Sequence, residues 1–247
     1  MIPKIIHYCW FGRNPLPPLA QECIASWKKY LPDYEIKEWN EDNFDVNIIP
    51  YTKDAYSAKK YAFVSDYARF WILNKEGGVY FDVDIQLIKS IKDILEKGPF
   101  LAFESNPDKY SSGSIAPGLG LAFEPGDLFL ESMLAIYKNL QFKQPDGSLN
   151  FKTICNYTTE YMYKRGLKRV SGIQTIDGIN IYPSEYFSPT HFVTKRLHFT
   201  DNTRSIHRDM GTWYEKPNSL VAYIWKVFPE CFLIWYNRFK HYKDWSF

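Results

Sequence analysis

Two carboxylates spaced two residues apart, Asp82 and Asp84, fall in the apolar run Gly77–Leu87, which reads GGVYFDVDIQL. If that run is one strand, side chains at i and i+2 project from the same face, about 6.5–7 Å apart along the backbone. Acids so placed can converge on one hard divalent cation. Oxygen ligands suit Mg²⁺ or Mn²⁺, which keep positions open for substrate phosphates. A solvated strand end with two acids has the same spelling, so the pair must be weighed with its neighbours. Asp66 and Arg69 lie three apart and share a face if their segment is helical. They read either as a surface ion pair or as a site in which Asp66 accepts hydroxyl hydrogen bonds while Arg69 orients it or meets a phosphate. His207 lies in TDNTRSIHRDMGTW, where a neutral imidazole could add a third metal ligand. His7 lies in the apolar run KIIHYCW, as a site residue or a core histidine. Trp10 ends that run. In a parallel sheet ligands bind beyond the carboxyl ends of strands, so Trp10 is placed either to stack on a base or to pack in the core.

The elements that must carry these residues follow from local pattern. Lys4–Trp10 reads as a buried strand, Leu19–Tyr30 as a helix stopped by Pro32, and Tyr34–Trp39 as an alternating strand. Strand, helix, strand opens an α/β fold with parallel pairing. Asp54–Glu76 reads as one long helix capped by Asp54 and ended by Gly77 in a left-handed conformation. Val79–Ile88 reads as one strand, with Tyr80, Asp82, Asp84 and Gln86 on one face. A short helix at Lys89–Leu95, a strand at Phe100–Glu104, helices at Leu128–Leu140 and Thr153–Gly166, and a strand at Ile179–Pro183 complete the core. Ser111–Gly120 (SSGSIAPGLG) reads as a mobile loop near the site, Ser184–Thr190 as a loop, and Thr200–Trp213 as mainly loop.

The 247 residues fit one large domain with an extension, and 45% hydrophobic content is ample for a core. A net charge of +2 excludes a strongly basic nucleic-acid footprint. Cys9, Cys23, Cys155 and Cys231 form no C-x-x-C pair, so free thiols in a reducing compartment are the simplest reading. No signal peptide is visible, and the apolar stretch Leu220–Tyr236 is interrupted and shorter than the ~20 residues of a spanning helix.

Four blocks, IPKIIHYCWFG, SDYAR (Ser65–Arg69), GGVYFDVD (Gly77–Asp84) and NTRSIHRDMGTW, together resemble bacterial glycosyltransferases of family 32. This is the group with a DXD-containing sugar-binding region found in capsule and O-antigen clusters. The same blocks are distantly similar to the glucosyltransferase domains of clostridial toxins. The resemblance spans Ile2 to about Trp213, giving a domain at 1–213 and an extension at 214–247. It implies a GT-A fold, with a mainly parallel central sheet flanked by helices, a nucleotide-sugar donor, UDP-linked by preference, Mn²⁺ or Mg²⁺, and retention of anomeric configuration. Block by block, it implies donor contacts from His7, Trp10, Tyr80, Asp66, Arg69, Asp82 and Trp213. Asp66, Arg69 and Asp82 would act on the sugar, and Asp82, Asp84 and His207 would hold the metal. Glu104, Asn106 and Asp108 are candidates for contacts to a glycan or lipid-linked oligosaccharide acceptor.

The tail from Asn218 interleaves aromatic residues with Lys226, Arg238, Lys240 and Lys243. It reads as an interfacial helix or as a helix packed on the domain. The expected setting is cytoplasmic, at the inner face of the cell membrane if the tail is interfacial. Two other functions share the D-x-D. A phosphatase of the haloacid dehalogenase type would use an aspartyl nucleophile, but Gln86 stands where that motif carries Thr or Val. A non-catalytic sugar- or lipid-binding module would leave the Asp–Arg pair and His207 as coincidences.

Overall fold

A computed structural model describes residues 1–108, 112–190 and 196–211. The elements in chain order are β1 (Ile5–Cys9), α1 (Pro18–Tyr30), β2 (Glu35–Trp39), α2 (Pro50–Ser57), α3 (Tyr61–Glu76), β3 (Gly78–Tyr80) and β4 (Ile85–Leu87). Then come α4 (Lys92–Leu95), β5 (Phe100–Ser105), β6 (Ser114–Ile115), a 3-10 turn (Pro117–Leu119) and β7 (Leu121–Phe123). The described chain closes with α5 (Leu128–Lys138), α6 (Ile154–Lys164), β8 (Gln174–Ile176), β9 (Ile179–Tyr182), α7 (Ser184–Phe187) and β10 (Ser205–His207).

The main sheet has the order β2-β1-β3-β7-β5-β9-β8, with β6 added beside β5. β2, β1, β3, β5 and β9 run one way, while β7 and β8 run against them. The expected mainly parallel α/β fold is therefore present, and the antiparallel β7 lies at its middle. Alternation along the strands feeds two cores. Tyr80, Leu101 and Phe103 face α3, α5 and α6, whereas Ile6, Tyr8, Val79, Phe81, Phe100 and Ala102 face Trp27, Ile94 and Phe187. Both faces are covered, which is why these strands read as continuous apolar runs.

Besides α7, which stands where Ser184–Thr190 read as a loop, and the unexpected β7 and β8, three expected elements around the site differ from the sequence reading. The helix expected over Asp54–Glu76 is two helices, because Lys59 has φ 58° and turns the chain between α2 and α3. Asp54 lies inside α2. Gly77 ends α3 with φ 65° and ψ −167°, so it departs from the left-handed helical cap; a Cβ there would stand 2.7 Å from Pro125. The strand expected over Val79–Ile88 is broken. β3 stops at Tyr80, Asp82–Asp84 form a turn closed by the Ile85 N–H donating to the Asp82 carbonyl at 3.1 Å, and β4 leaves in a second, two-stranded sheet with β10. Within Ser111–Gly120, residues 114–120 form β6 and the 3-10 turn, with Ile115–Gly120 buried. Their burial overturns the expectation of a mobile loop.

Candidate active site

The carboxyl ends of β1, β3 and β5 open on a cleft of about 680 Å³, within the ~300–1,000 Å³ usual for ligand pockets. Trp10 follows β1, Asp82 follows β3, Glu104 lies near the end of β5, and Asp66 and Arg69 come from α3. His207 arrives from β10. Residues distant in sequence meet here because parallel strands bring like ends to one edge.

Arg69 is the hub. It lies one turn after Ser65, and its Nε donates back to the Ser65 carbonyl at 3.1 Å. Its Nη2 meets Asp66 Oδ1 at 3.1 Å and Asp82 Oδ1 at 3.3 Å, and its Nη1 donates to Asp82 Oδ2 at 3.4 Å. The guanidinium also lies 4.8 Å from the centre of the Tyr80 ring, and the Tyr80 hydroxyl donates to Asp82 Oδ1 at 3.0 Å. Only a planar fork with several donors can hold two carboxylates and an aromatic face together. Burial pushes the Asp66 carboxyl up to about 7, Arg69 opposes that shift and the Asp82 charge adds to it. Burial disfavours the Arg69 charge, but Asp82, Tyr80 and Asp66 outweigh it, so Arg69 stays ionised.

Asp82 and Asp84 do not share a strand face, contrary to the sequence reading, because the turn sends their side chains to different partners. Asp82 goes to Arg69 and Tyr80. The Asp84 Oδ2 accepts from the Met210 N–H at 3.0 Å and lies 3.3 Å from His207 Nε2. The antiparallel register sets that contact. His207 stands opposite Ile85, and the Arg208 N–H donates to the Asp84 carbonyl at 2.9 Å. For Asp84 burial acts upward, but the bonds from His207 and Met210 win and hold its carboxyl below the usual range. For His207 burial acts downward, but its bond to Asp84 and nearby acidic charge lift it to about 9. The Asp82 side chain is 35% exposed against 11% for Asp84, so Asp82 is the more open acid.

The turn is braced from both sides. On one, the Trp27 indole N–H donates to the Ile85 carbonyl at 2.6 Å and the Ser26 hydroxyl accepts from the Leu87 N–H at 2.9 Å, so α1 side chains replace a neighbouring strand along β4. On the other, the Gly118 carbonyl accepts from the Asp82 N–H at 2.9 Å. A Cβ on Gly118 would stand 1.8 Å from Asp82 Oδ2. The missing side chain is the space the carboxylate occupies. A Pro-Gly turn is visible in the sequence, but its place against Asp82 is not.

The donor chemistry fits a hard divalent cation. Asp84 offers oxygen, Asp82 a second carboxylate beside an open cleft, and His207 a nitrogen that would ligate only after a bound cation displaces its proton. Among the described residues no three His, Cys, Asp or Glu side chains close on one point. Mg²⁺ and Mn²⁺ sites commonly use one or two carboxylates and complete their shell with waters and substrate phosphates.

His7 is a core residue, outside the cleft lining. Its Nδ1 accepts from the Trp39 indole N–H at 3.0 Å and its Nε2–H donates to the Gly77 carbonyl at 2.9 Å, which fixes the tautomer. Burial drives it down to about 4, so it is neutral. Tyr80 is also buried and reaches the site only through Asp82 and Arg69. Asn106 is turned away, its Oδ1 accepting from the Ser184 N–H; Asp108, like Asn106, is outside the lining while Glu104 is within it. Trp213 and the extension at 214–247 lie outside the described residues.

The family model for the glycosyltransferase sugar-binding region containing the DXD motif matches residues 17–101. An uncharacterised glycosyltransferase of Acanthamoeba polyphaga mimivirus is 26% identical over 198 residues, covering 76% of this chain and 74% of the viral protein. Inositol phosphoceramide mannosyltransferase 1 of Schizosaccharomyces pombe is 29% identical over 122 residues, 45% of this chain and 37% of the yeast protein. In fold the chain is similar to the solved PaToxG glycosyltransferase, with a TM-score of 0.50 at 18% identity over 66% of this chain and 69% of that one. The matched stretch, residues 17–101, contains Asp82-Val83-Asp84, which stands as its D-x-D.

Proposed function

We propose that this chain is a retaining, metal-dependent glycosyltransferase that moves a hexose from a nucleotide-diphosphate sugar, UDP-linked by preference, to a glycan or lipid-linked acceptor. The observation that carries the reading is the double bridge from Arg69 to Asp66 and Asp82, beside the Asp84–His207 pair, in one cleft at the carboxyl ends of the strands. Asp66, fixed by Arg69, accepts hydrogen bonds from sugar hydroxyls. Asp82, held by Arg69 and Tyr80, faces the sugar and ribose side. Trp10 lines the cleft and offers a face to the base, its indole N–H held by the Asn14 carbonyl at 2.6 Å.

Asp84, with His207 and Asp82, would hold Mn²⁺ or Mg²⁺. A diphosphate beside two carboxylates needs a cation between them, and that ion would offset the charge growing on the departing group. Retention follows from the resemblance of the four sequence blocks. In a front-face transfer the bond from the anomeric carbon to the diphosphate breaks, the acceptor oxygen bonds on the same face, and its proton passes to the leaving phosphate oxygen. The name of the yeast relative supports a lipid-linked acceptor. The relatives described are viral and fungal, so a role in capsule or O-antigen synthesis rests on the resemblance alone. Among the described residues no helix is long and apolar enough to cross a membrane.

The test is turnover of a nucleotide-sugar panel with and without Mn²⁺. Metal-dependent donor hydrolysis or transfer is expected, falling at least ~100-fold in Asp84→Ala, as for loss of a preorganised electrostatic group. Full activity without metal, or in that variant, overturns the mechanism.

A further inference from the structure

The donor reading uses Asp66, Asp82 and Asp84 of the cleft and leaves Glu104 and Asp209 unassigned. Glu104 lines the cleft and, among the described residues, its carboxylate forms no hydrogen bond or ion pair. Its position is set by an irregularity in the sheet. Phe103 stands opposite Ile115 and Ser105 opposite Ser114, so β5 spends two steps where β6 spends one. Glu104 is the extra residue of this bulge, a device that re-aims a side chain next to a site. The wall of the same cleft includes Ser114 of β6 and, at the start of α6, Thr153 and Cys155. That wall is tied together by the Ile115 N–H donating to the Thr159 hydroxyl at 2.9 Å. The Glu104 charge acts on both His207 and Cys155, which line the same cleft.

A carboxylate accepts hydrogen bonds and donates none, and its two oxygens match two neighbouring hydroxyls. It repels phosphate and carboxylate groups. Building on the donor reading above, we infer that Glu104 binds the acceptor, taking hydrogen bonds from adjacent hydroxyls of a neutral polyol ring, a sugar or an inositol. Glu104 positions that ring; the proton of the attacking hydroxyl still leaves to the phosphate oxygen. Sequence alone offered Glu104, Asn106 and Asp108 together, and the bulge selects the first.

The experiment uses the full chain with Mn²⁺ and its best nucleotide sugar. Methyl α-D-mannopyranoside and myo-inositol serve as neutral probes and glucuronate as the anionic control. Transfer to at least one neutral probe and none to glucuronate is expected. Glu104→Gln should raise the KM for that probe at least tenfold, with nucleoside diphosphate affinity within twofold and an unchanged melting temperature. Glu104→Asp should recover part of the affinity. An unchanged probe KM in Glu104→Gln overturns the inference, as does a matching loss of nucleoside diphosphate affinity. Donor hydrolysis by the wild type without transfer to either polyol overturns the inference alone. Failure of the wild type to bind or hydrolyse any nucleotide sugar overturns the donor reading itself, and this inference with it.

Discussion

At the scale of single residues the site depends on contacts measured in tenths of an ångström. Gly118 shows this most directly. Its backbone lies outside the left-handed region, so alanine there carries no conformational strain, but the added Cβ would fall 1.8 Å from Asp82 Oδ2 and 3.1 Å from Arg69 Nη1. Those atoms belong to side chains, so the carboxylate will yield before the fold does. Gly118→Ala is expected to lower kcat by roughly 100-fold, the cost of a misplacement near 1 Å, while the circular dichroism spectrum stays native. Retained kcat would show that the Asp82 orientation is irrelevant. The acids themselves were readable from their spacing. What each acid holds was not, because Asp82 and Asp84 are two residues apart and serve different partners.

At the scale of elements, the sequence marked β1, α1, β2, β5, α5, α6 and β9 through period and punctuation, and it missed the short strands. β8 and β9 form a hairpin over Asp177 and Gly178, with φ 50° and 81°. An Asp-Gly between two short apolar runs is a hairpin signal, and it was present in TIDGINIY. Nothing stands within 4 Å of a Cβ on Gly178, so Gly178→Ala isolates the backbone term. It should cost about 1–2 kcal/mol in a denaturant titration, the usual penalty for an L-residue in this region, with transfer activity unaffected. β10 carried no comparable signal. SIH becomes a strand only because β4 offers it an edge, and β4 exists apart from β3 only because the D-x-D turn splits the run.

Across the whole molecule, His7 reports on how β1, β2 and the end of α3 are joined. It is fully buried and bonded on both ring nitrogens, to Trp39 of β2 and to Gly77 at the end of α3. Its folded value near 4 lies below the ordinary 6.5. The unfolded chain therefore binds the extra proton first as pH falls. Stability from this group is present above pH 6.5 and is lost progressively toward pH 4, by up to about 3 kcal/mol. His7→Gln should be most destabilising near neutral pH, with its deficit relative to wild type shrinking from pH 6.5 to 4 in chemical denaturation. A constant deficit across that window would show that His7 is not held neutral.

Sequence by itself determined the α/β class, the buried strands, and the residues worth testing, because period, punctuation and residue chemistry are local properties. It also carried the family resemblance, since four separated blocks kept their order. Only the tertiary structure decided which candidates meet. It withdrew His7 into the core and set Tyr80 behind Asp82. It turned Asp84 to His207 through a strand pairing of residues about 120 positions apart, and it brought Gly118 and Glu104 to the site through a turn and a bulge. Such contacts depend on strand register and chain reversal, and no single stretch of residues encodes either one.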